Sequence, residues 1–454
     1  MNEKELTKAV ESWQEFVKSA KKIHIVGGGT SFYLCPHLAI SAPAKGGTAR
    51  RLNTIFNDLI SLGKNKLMTV LHLTKMCEEN YQEEALETNE DIEKLIDKIV
   101  ADPATKIVIL TAALCDYEPY VNYIVQENTK AESFEDFAKH KTSEILIGKD
   151  VPRFRTNIDK KINITLSPAK KIVGKIRQHR KDIFAVAFKQ THGATPEEQY
   201  IDGLNLLKKN SLNLVLANDT KTMLNMVITP EEASYHVTTD RYEALRGLAE
   251  IALLRSHLTF TQSTVVAGDP IPWNSELVPE ALRTVVNYCV ERGAYKPFNG
   301  ATVGHFACKL TDTTFLTSIR KSNFNDIEKN GLVKIETDGP DTVLAYGAKP
   351  SVGGQSQRIV FKDHEGYDCI CHFHCEKTKE SKVPVVSQRE IECGSKECGQ
   401  NTSNGLQQFG NLKAVYLDNH GPNILFNHDI NPQEVIDFIE ENFDLSTKTG
   451  GYII

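Results

Sequence analysis

The sequence predicts an α/β protein in two parts: a parallel-sheet domain followed by a second α/β domain with a largely antiparallel sheet. Three observations predict it. Apolar runs of strand length alternate with helix-period segments as far as residue 258, the periodicity breaks over 259–274 (TFTQSTVVAGDPIPWN), and short strands then bracket Cys371-His372-Phe373-His374-Cys375. At 454 residues the chain is long enough for two cores. The expected boundaries are therefore 1–258, a linker at 259–274, and 275–454.

The elements follow in order. Residues 2–20 read as an amphipathic helix with Val10, Trp13, Phe16 and Val17 on one face, and 22–26 as a short apolar strand that runs into Gly27-Gly28-Gly29-Thr30. Next come a helix at 51–62, a strand at 67–73, a helix at 89–99 and a strongly apolar strand at 106–111. A helix at 168–180, a strand at 183–188, a helix at 196–210 and a strand at 212–217 continue the alternation, and a helix at 241–258 follows the strand containing Met226-Val227-Ile228. Strands separated by helices imply a parallel sheet covered on both faces, with ligands at the carboxyl ends of the strands. The second part opens with a helix at 275–292, has short strands between 302 and 345 and around the H-x-H, and closes with a helix at 432–443. The polar run 395–407 reads as a loop.

Composition excludes several classes of function. A hydrophobic share of 40%, charged residues at 25% and a formal charge of −6 leave no polyanion footprint, so nucleic acid and membrane surfaces are not expected partners. The first 22 residues lack an apolar signal core, and no later segment approaches the roughly 18 apolar residues that span a bilayer. A cytoplasmic protein is expected. Its ten cysteines then read as reduced thiols or ligands. Five of them, Cys369, Cys371, Cys375, Cys393 and Cys398, fall within thirty residues; Cys393 and Cys398 have a C-x4-C spacing, but no C-x2-C pair occurs.

In a strand, residues i and i+2 face the same way, so His372 and His374 can aim two imidazoles at one point, and Asn419-His420-Gly421 can supply a third. Three neutral nitrogens with open positions describe a catalytic metal rather than a structural one; the alternative is an ordinary strand with two partly exposed histidines. In the first half, Gly27-Gly28-Gly29-Thr30 and the stretch Ala42 to Thr48 offer backbone amides suited to phosphate. Thr111 to Asp116 places small residues and one acid at a strand end, and Phe188-Lys189 and Ala217-Asn218-Asp219 end two further strands.

Over roughly residues 20–255 these motifs resemble the phosphopantothenate–cysteine ligase (phosphopantothenoylcysteine synthetase) family, whose fold is Rossmann-like. The matches are the glycine–threonine turn, TAALCDYEP at 111–119, the lysine–serine stretch Lys141-Thr142-Ser143, AFKQT at 187–191 and LAND at 216–219. The resemblance implies that the nucleotide contacts Gly28, Gly29, Gly46, Gly47, Phe188 and Asn218, that Ala112, Ala113 and Asp116 hold the acyl substrate, and that Lys141 and Lys189 serve catalysis. It further implies activation of a carboxylate by a nucleotide, ATP or CTP with Mg2+, release of pyrophosphate and attack by a cysteine amine; the F-K-x-T form is similar to the ATP-using branch. The family's asparagine loop is replaced by residues 37–44, HLAISAPA, in which Ser41 is the polar side chain at the core of the stretch.

Residues 275–454 resemble the class II aldolase/adducin family. Its H-x-H and later H-G match His372, His374 and His420; Gly304 to Lys309 resembles its G-N-x-S-x-R phosphate cradle in outline, and Thr317-Ser318 and Lys349-Pro350-Ser351 follow. The resemblance implies a divalent metal, zinc being usual, held by His372, His374 and His420, with substrate contacts from Gly304, Thr317, Ser318, Lys349 and Ser351. Such a metal stabilises an enediolate and permits carbon–carbon cleavage or epimerisation. The family's glutamate just past K-P-S falls on Gly353, so Glu397, with Glu376 and Glu392, is the candidate base. The expectation is a bifunctional ligase and aldolase-like enzyme acting on small anionic molecules, with homo-oligomerisation implied by both families; the alternative is a sensor or scaffold that keeps both pockets.

Overall fold

The computed structural model describes residues 19–63, 66–77, 86–125 and 161–452. It divides into two compact units, Met1–Phe188 with Asn210–Leu212, and Lys189–Lys209 with Asn213–Ile454. Lys141, Thr142 and Ser143 lie outside the described residues, as does the helix expected over 2–20 except for its last two positions.

At the centre of the first unit is β1 (Lys21–Gly27), buried from Ile23 onward as a strand covered on both faces must be. It leads into an antiparallel hairpin, β2 (Thr30–Cys35) and β3 (Leu38–Ala42). The glycine turn therefore joins two strands, and the helix α1 (Gly47–Leu62) starts only at the second small-residue stretch. Then come β4 (Leu67–Leu73), α2 (Asn89–Ala101) and β5 (Thr105–Leu110). The start of α2 is set by a capping box in which Thr88 and Asp91 satisfy each other's backbone amides. A second hairpin, β6 (Tyr117–Val125) with β7 (Lys161–Pro168), precedes the short α3 (Lys175–His179) and β8 (Phe184–Thr191). The expected helix over 168–180 is thus mostly not helical: Pro168 ends a strand, and one turn of helix forms only after Gly174. The four main strands run parallel in the order β8–β5–β1–β4.

The second unit contains α4 (Pro196–Asn210), the antiparallel strands β9 (Leu214–Asp219), β10 (Asn225–Ile228) and β11 (Ser234–Thr238), and α5 (Arg241–Arg255), which Asp240 caps. The stretch expected as a linker holds a strand, β12 (Gln262–Val266), at the edge of a ten-stranded sheet. After α6 (Glu280–Glu291) and the small hairpin β13 (Pro297–Phe298) and β14 (Ala301–Thr302) come β15 (His305–Lys309), β16 (Thr314–Ser318), α7 (Ile327–Asn330), β17 (Leu332–Thr337), β18 (Thr342–Tyr346) and α8 (Val352–Asp363). The chain continues through β19 (Cys369–His372), β20 (Glu376–Lys377), β21 (Val385–Val386), α9 (Lys396–Gly405) and β22 (Gln407–Phe409). It finishes with β23 (Leu412–Leu417), β24 (Gly421–Phe426), α10 (Pro432–Asn442) and β25 (Phe443–Asp444). The sheet order is β12–β18–β17–β16–β15–β19–β24–β23–β21, with β22 also on β23; only the β12–β18 and β21–β23 pairs are parallel.

Strand alternation sorts the side chains of this sheet onto two faces. Phe306, Cys308, Cys369, Cys371, Ile424 and Phe426 join the core under α6 and α10, whereas Ala307, Ile370, Val415 and Leu425 join the core under α8 and α9. The cysteine concentration near the H-x-H is thereby explained as packing: Cys369, Cys371 and Cys375 are buried core thiols, and none of the ten cysteines forms a disulfide. The polar run read as a loop is the helix α9, whose start is fixed by Ser395 accepting from the Cys398 amide at 3.0 Å.

The fold of the second unit also depends on buried ion pairs. Arg255 and Glu231, both fully buried, pair at 2.6 Å, and Arg255 donates to the carbonyls of Gln388 and Arg389 at 3.1 and 3.0 Å. Asn213 donates to the buried carboxylate of Glu392 at 3.0 Å. Residues 213–258 are thus tied into the same unit as the H-x-H segment.

Candidate metal centre

Even-numbered residues of β19 face α8, so His372 emerges on that side at the strand's end and His374 follows on the same side. The tight turn between β23 and β24 brings in His420, whose amide donates to the Leu417 carbonyl at 3.0 Å. That turn requires glycine at 421, where φ is +127° and a Cβ would strike the Phe373 carbonyl. One ligand nitrogen from each of the three histidines lies within 4.8 Å of the others. His372 Nε2 and His420 Nε2 are 3.2 Å apart, close to the spacing of two nitrogens each about 2.0–2.1 Å from a tetrahedral ion.

The donor set also fits in its chemistry. His372 Nδ1 donates to the Pro422 carbonyl at 2.7 Å, which fixes the tautomer and leaves Nε2 with a free lone pair. Burial pushes the His372 imidazolium down to about 4 and holds His374 and His420 well below the ordinary histidine range, so all three are neutral at pH 7. Thr449 steadies the pair that is not on a strand: its amide donates to the His374 carbonyl at 3.3 Å and its hydroxyl to the His420 carbonyl at 2.9 Å. Close by, the buried Glu232 carboxylate lies between Lys208 and Lys448, 3.1 Å from each ammonium. Burial opposes the charge on Glu232, but the two lysines more than offset it and hold the carboxyl below its ordinary range.

Residues that sequence reasoning did not single out complete the wall. His305, His372 and Asn423 lie opposite one another on β15, β19 and β24, a row of three across the sheet. The rings of His305 and His372 are 4.8 Å apart. Gln357 of α8 covers the row, with its Nε2 3.2 Å from His305 Nε2 and 3.5 Å from Asn423 Oδ1. The helix comes this close because its first turn has no side chains there: a Cβ on Gly353 would strike the His305 ring, and one on Gly354 would strike Thr317. The glutamate that the resemblance places at 353 has no room, because an imidazole occupies its space. No local sequence signal marks His305, because its place opposite His372 depends on the pairing of β15 with β19.

The other expected contacts divide. Thr317, Ser318, Lys349 and Ser351 are brought together: the Ser351 amide donates to the Ser318 carbonyl and the Arg320 amide to the Lys349 carbonyl, each at 2.9 Å. Ser318 is fully buried on the opposite sheet face from Thr317, and Lys349 is exposed. At Gly304 a Cβ would meet the His372 carbonyl at 2.6 Å, so the missing side chain serves strand packing. Glu397 accepts from the Thr259 amide at 3.0 Å. In the first unit, Gly29 bridges Ala113, whose amide donates to Gly28 at 2.9 Å, and both Gly28 and Gly46 back onto the Cys77 sulfur. Gly47 opens α1 with free space at its Cβ position, and Asp116 is exposed and paired with Lys171. Phe188 lies on β8 in the first unit, whereas Lys189 and Asn218 belong to the second, Lys189 pairing with Asp202 at 3.3 Å and Asn218 lying opposite Asn225. Asp219, beside Asn218, is a turn staple: its carboxylate accepts from the amides of Lys221, Thr222 and Ala194 at 2.8–3.1 Å.

With this geometry in place, the chain was compared with known proteins. No family model matches it, and no curated protein matches it. Solved structures match in two regions. A DNA/pantothenate metabolism flavoprotein from Streptococcus pneumoniae is 17% identical over 52% of this chain and 96% of its own, with a TM-score of 0.37. The C-terminal domain of the coenzyme A biosynthesis bifunctional protein CoaBC is 14% identical over 52% of this chain and 95% of its own, at 0.35. An L-fuculose 1-phosphate aldolase is 17% identical over 36% of this chain and 82% of its own, at 0.28.

Proposed function

We propose that the chain is a bifunctional enzyme in which the His372–His374–His420 centre serves a metal-dependent aldolase- or epimerase-like reaction on an anionic small molecule. The other part, in this reading, is a nucleotide-dependent carboxylate–amine ligase of the phosphopantothenate–cysteine type. In this reading the ligase is assigned to residues 1–258, of which 213–258 pack in the same unit as the histidine trio, and the assembly is a cytoplasmic homo-oligomer. The observation that carries the reading is the trio itself: three buried, neutral imidazoles converging on one point, one oriented through Pro422. A divalent ion there, zinc in this proposal, supplies Lewis-acid polarisation of a carbonyl. The chain's own residues do the rest. His372, His374 and His420 hold the ion, Thr449 fixes two of their backbones, and the surrounding core excludes water. The proposed base is Glu397, with Thr317, Ser318, Gly304, Lys349 and Ser351 around the substrate.

For the ligase, support comes from the open amide end of α1 at Gly47, which has no capping side chain and no acid in its first turn and so suits a phosphate. Gly28, Gly29, Gly46 and Phe188 are assigned to ATP or CTP with Mg2+, Ala112, Ala113 and Asp116 to the acyl substrate, and Lys141 to catalysis. One observation favours the sensor reading: His372, His374 and His420 are only 1, 5 and 2% exposed. Two measurements decide. Metal analysis of the purified protein should give about one divalent ion per chain, lost in His372→Ala/His374→Ala; a metal-free protein that cannot be loaded sinks the aldolase-like reading. Pyrophosphate release should require nucleotide, 4′-phosphopantothenate and cysteine together, and nucleotide bound without turnover would establish the sensor instead.

A further inference from the structure

Packing accounts for Cys369, Cys371 and Cys375, which leaves the C-x4-C pair, Cys393 and Cys398. Local structure brings these two together. The amide and hydroxyl of Ser395 both donate to the Glu392 carbonyl, at 3.2 and 2.8 Å, closing a turn, and the same hydroxyl caps α9 by accepting from the Cys398 amide at 3.0 Å. Gly394, at φ +84°, makes the reversal inside that turn. Cys393 thus stands just before the first turn of α9 and Cys398 within it, and the Cys393 thiol donates to the Cys398 sulfur. Gln388 supplies a second donor, its Nε2 3.5 Å from Cys398 Sγ, and the Gly394 amide a third. These donors, the Cys393 thiol foremost, hold the Cys398 thiol below the ordinary cysteine range, as the amide end of a helix also favours. Access divides the pair: Cys398 is 4% exposed, whereas Cys393 is partly exposed and the other cysteines are all buried. The segment is anchored, since Arg255 donates to the carbonyls of Gln388 and Arg389 and Asn213 to the Glu392 carboxylate. It also packs on the start of α8: the Cys393 sulfur lies 3.5 Å from where a Cβ on Gly353 would stand, and a Cβ on Gly394 would strike Val352.

We propose that Cys393 and Cys398 form a thiol–disulfide exchange site: Cys393 captures a small-molecule disulfide, Cys398 resolves the adduct into an intramolecular disulfide, and the first turn of α8 responds. The Cys393 sulfur attacks one sulfur of R–S–S–R while its proton passes to Cys398; one R–S− leaves, and a mixed disulfide remains on Cys393. Cys398 releases that proton to solvent, attacks the Cys393 sulfur and expels the second R–S−. Two protein thiols lose two protons and two electrons, and the small disulfide becomes two R–SH. A reversible bond of this kind suits a reducing compartment, where disulfides are transient and redox-responsive. The proposal does not depend on the metal reading.

Folded full-length protein treated with glutathione disulfide, quenched in acid, alkylated and digested with trypsin provides the test. Cleavage after Arg389, Lys396 and Lys413 puts Cys393 on residues 390–396 and Cys398 on 397–413. The parent protein should yield these two peptides joined by a disulfide, and excess reduced glutathione should return both to free thiols. In Cys398→Ser, glutathione should stay on Cys393 and be captured at least ~10-fold more slowly, because the acceptor for the Cys393 proton is gone. Cys393→Ser should leave Cys398 unmodified. Amide hydrogen exchange over residues 352–357 should differ at least ~3-fold between the oxidised and reduced parent. The proposal is overturned if the joined peptides form only after denaturation, or if glutathione persists on Cys393 in the parent. Equal capture rates in the parent and Cys398→Ser overturn the proton transfer to Cys398, and identical exchange in the two redox states overturns the link to α8. The deciding result comes from the parent protein, so a variant that fails to fold does not blunt the test.

Discussion

Gly421 carries a constraint that a single methyl group exposes. Alanine there must adopt a φ near +127° and place its Cβ against the Phe373 carbonyl, so Gly421→Ala should cost about 2 kcal/mol or more. Urea unfolding measures that cost, and metal analysis of the same protein should show weakened retention, because the strained turn carries His420. A change under about 0.5 kcal/mol would mean that the turn relaxes freely. The three histidines were legible in the sequence because their information is local: i and i+2 on one strand, and a histidine–glycine pair at a tight turn. His305 was not, because its significance appears only when β15 lies beside β19 and puts it opposite His372. Thr449 and Glu232 escaped for the same reason, being far in sequence from what they touch. The glycines at 28 and 46 were legible as glycines, but the structure adds a packing cause, the Cys77 sulfur behind both.

Among the elements, most strands and helices could be read from the sequence because burial on both faces leaves uninterrupted apolar runs, as in β1 and β5. The miss at α9 has a physical reason. Its buried face is Cys398, Gly399, Thr402 and Ser403, small residues that let the helix lie close to its neighbours, so no hydrophobic period marks it. What marks it is a cap. Ser395→Ala removes the acceptor for the Cys398 amide and should destabilise the protein by about 1 kcal/mol, read from the denaturation midpoint. No change would show that the helix start is fixed by packing alone. The strand β12 was hidden for a related reason: it is a partly exposed edge strand followed by Gly268 and Pro270, and such a pattern reads as a connector.

At the scale of the whole molecule, both units contain imidazoles that burial keeps neutral. His24 in the first is pushed down to about 4 by burial and by neighbouring His72, and His305, His372, His374 and His420 in the second are all held below the ordinary histidine range. Unfolding lets each take a proton near pH 6.5, so between about pH 4 and 6.5 the unfolded chain binds more protons than the native one. Stability should therefore be full above pH 6.5 and fall steadily as the pH drops toward 4, as thermal melts across that range would show. A bound divalent ion should raise the melting temperature most at neutral pH and progressively less in acid, because protons compete for the same nitrogens. A melting temperature flat from pH 7 to 5 would contradict this. The Arg255–Glu231 pair gives a second test: Glu231→Ala strands a buried guanidinium and should cost about 3–5 kcal/mol. Both partners of that pair precede the stretch 259–274, whereas the carbonyls of Gln388 and Arg389, the carboxylate of Glu392 and the ammonium of Lys448 follow it. A chain cut between those positions should leave two fragments that each lack half of this buried polar network, and they should fold stably only when they reassociate.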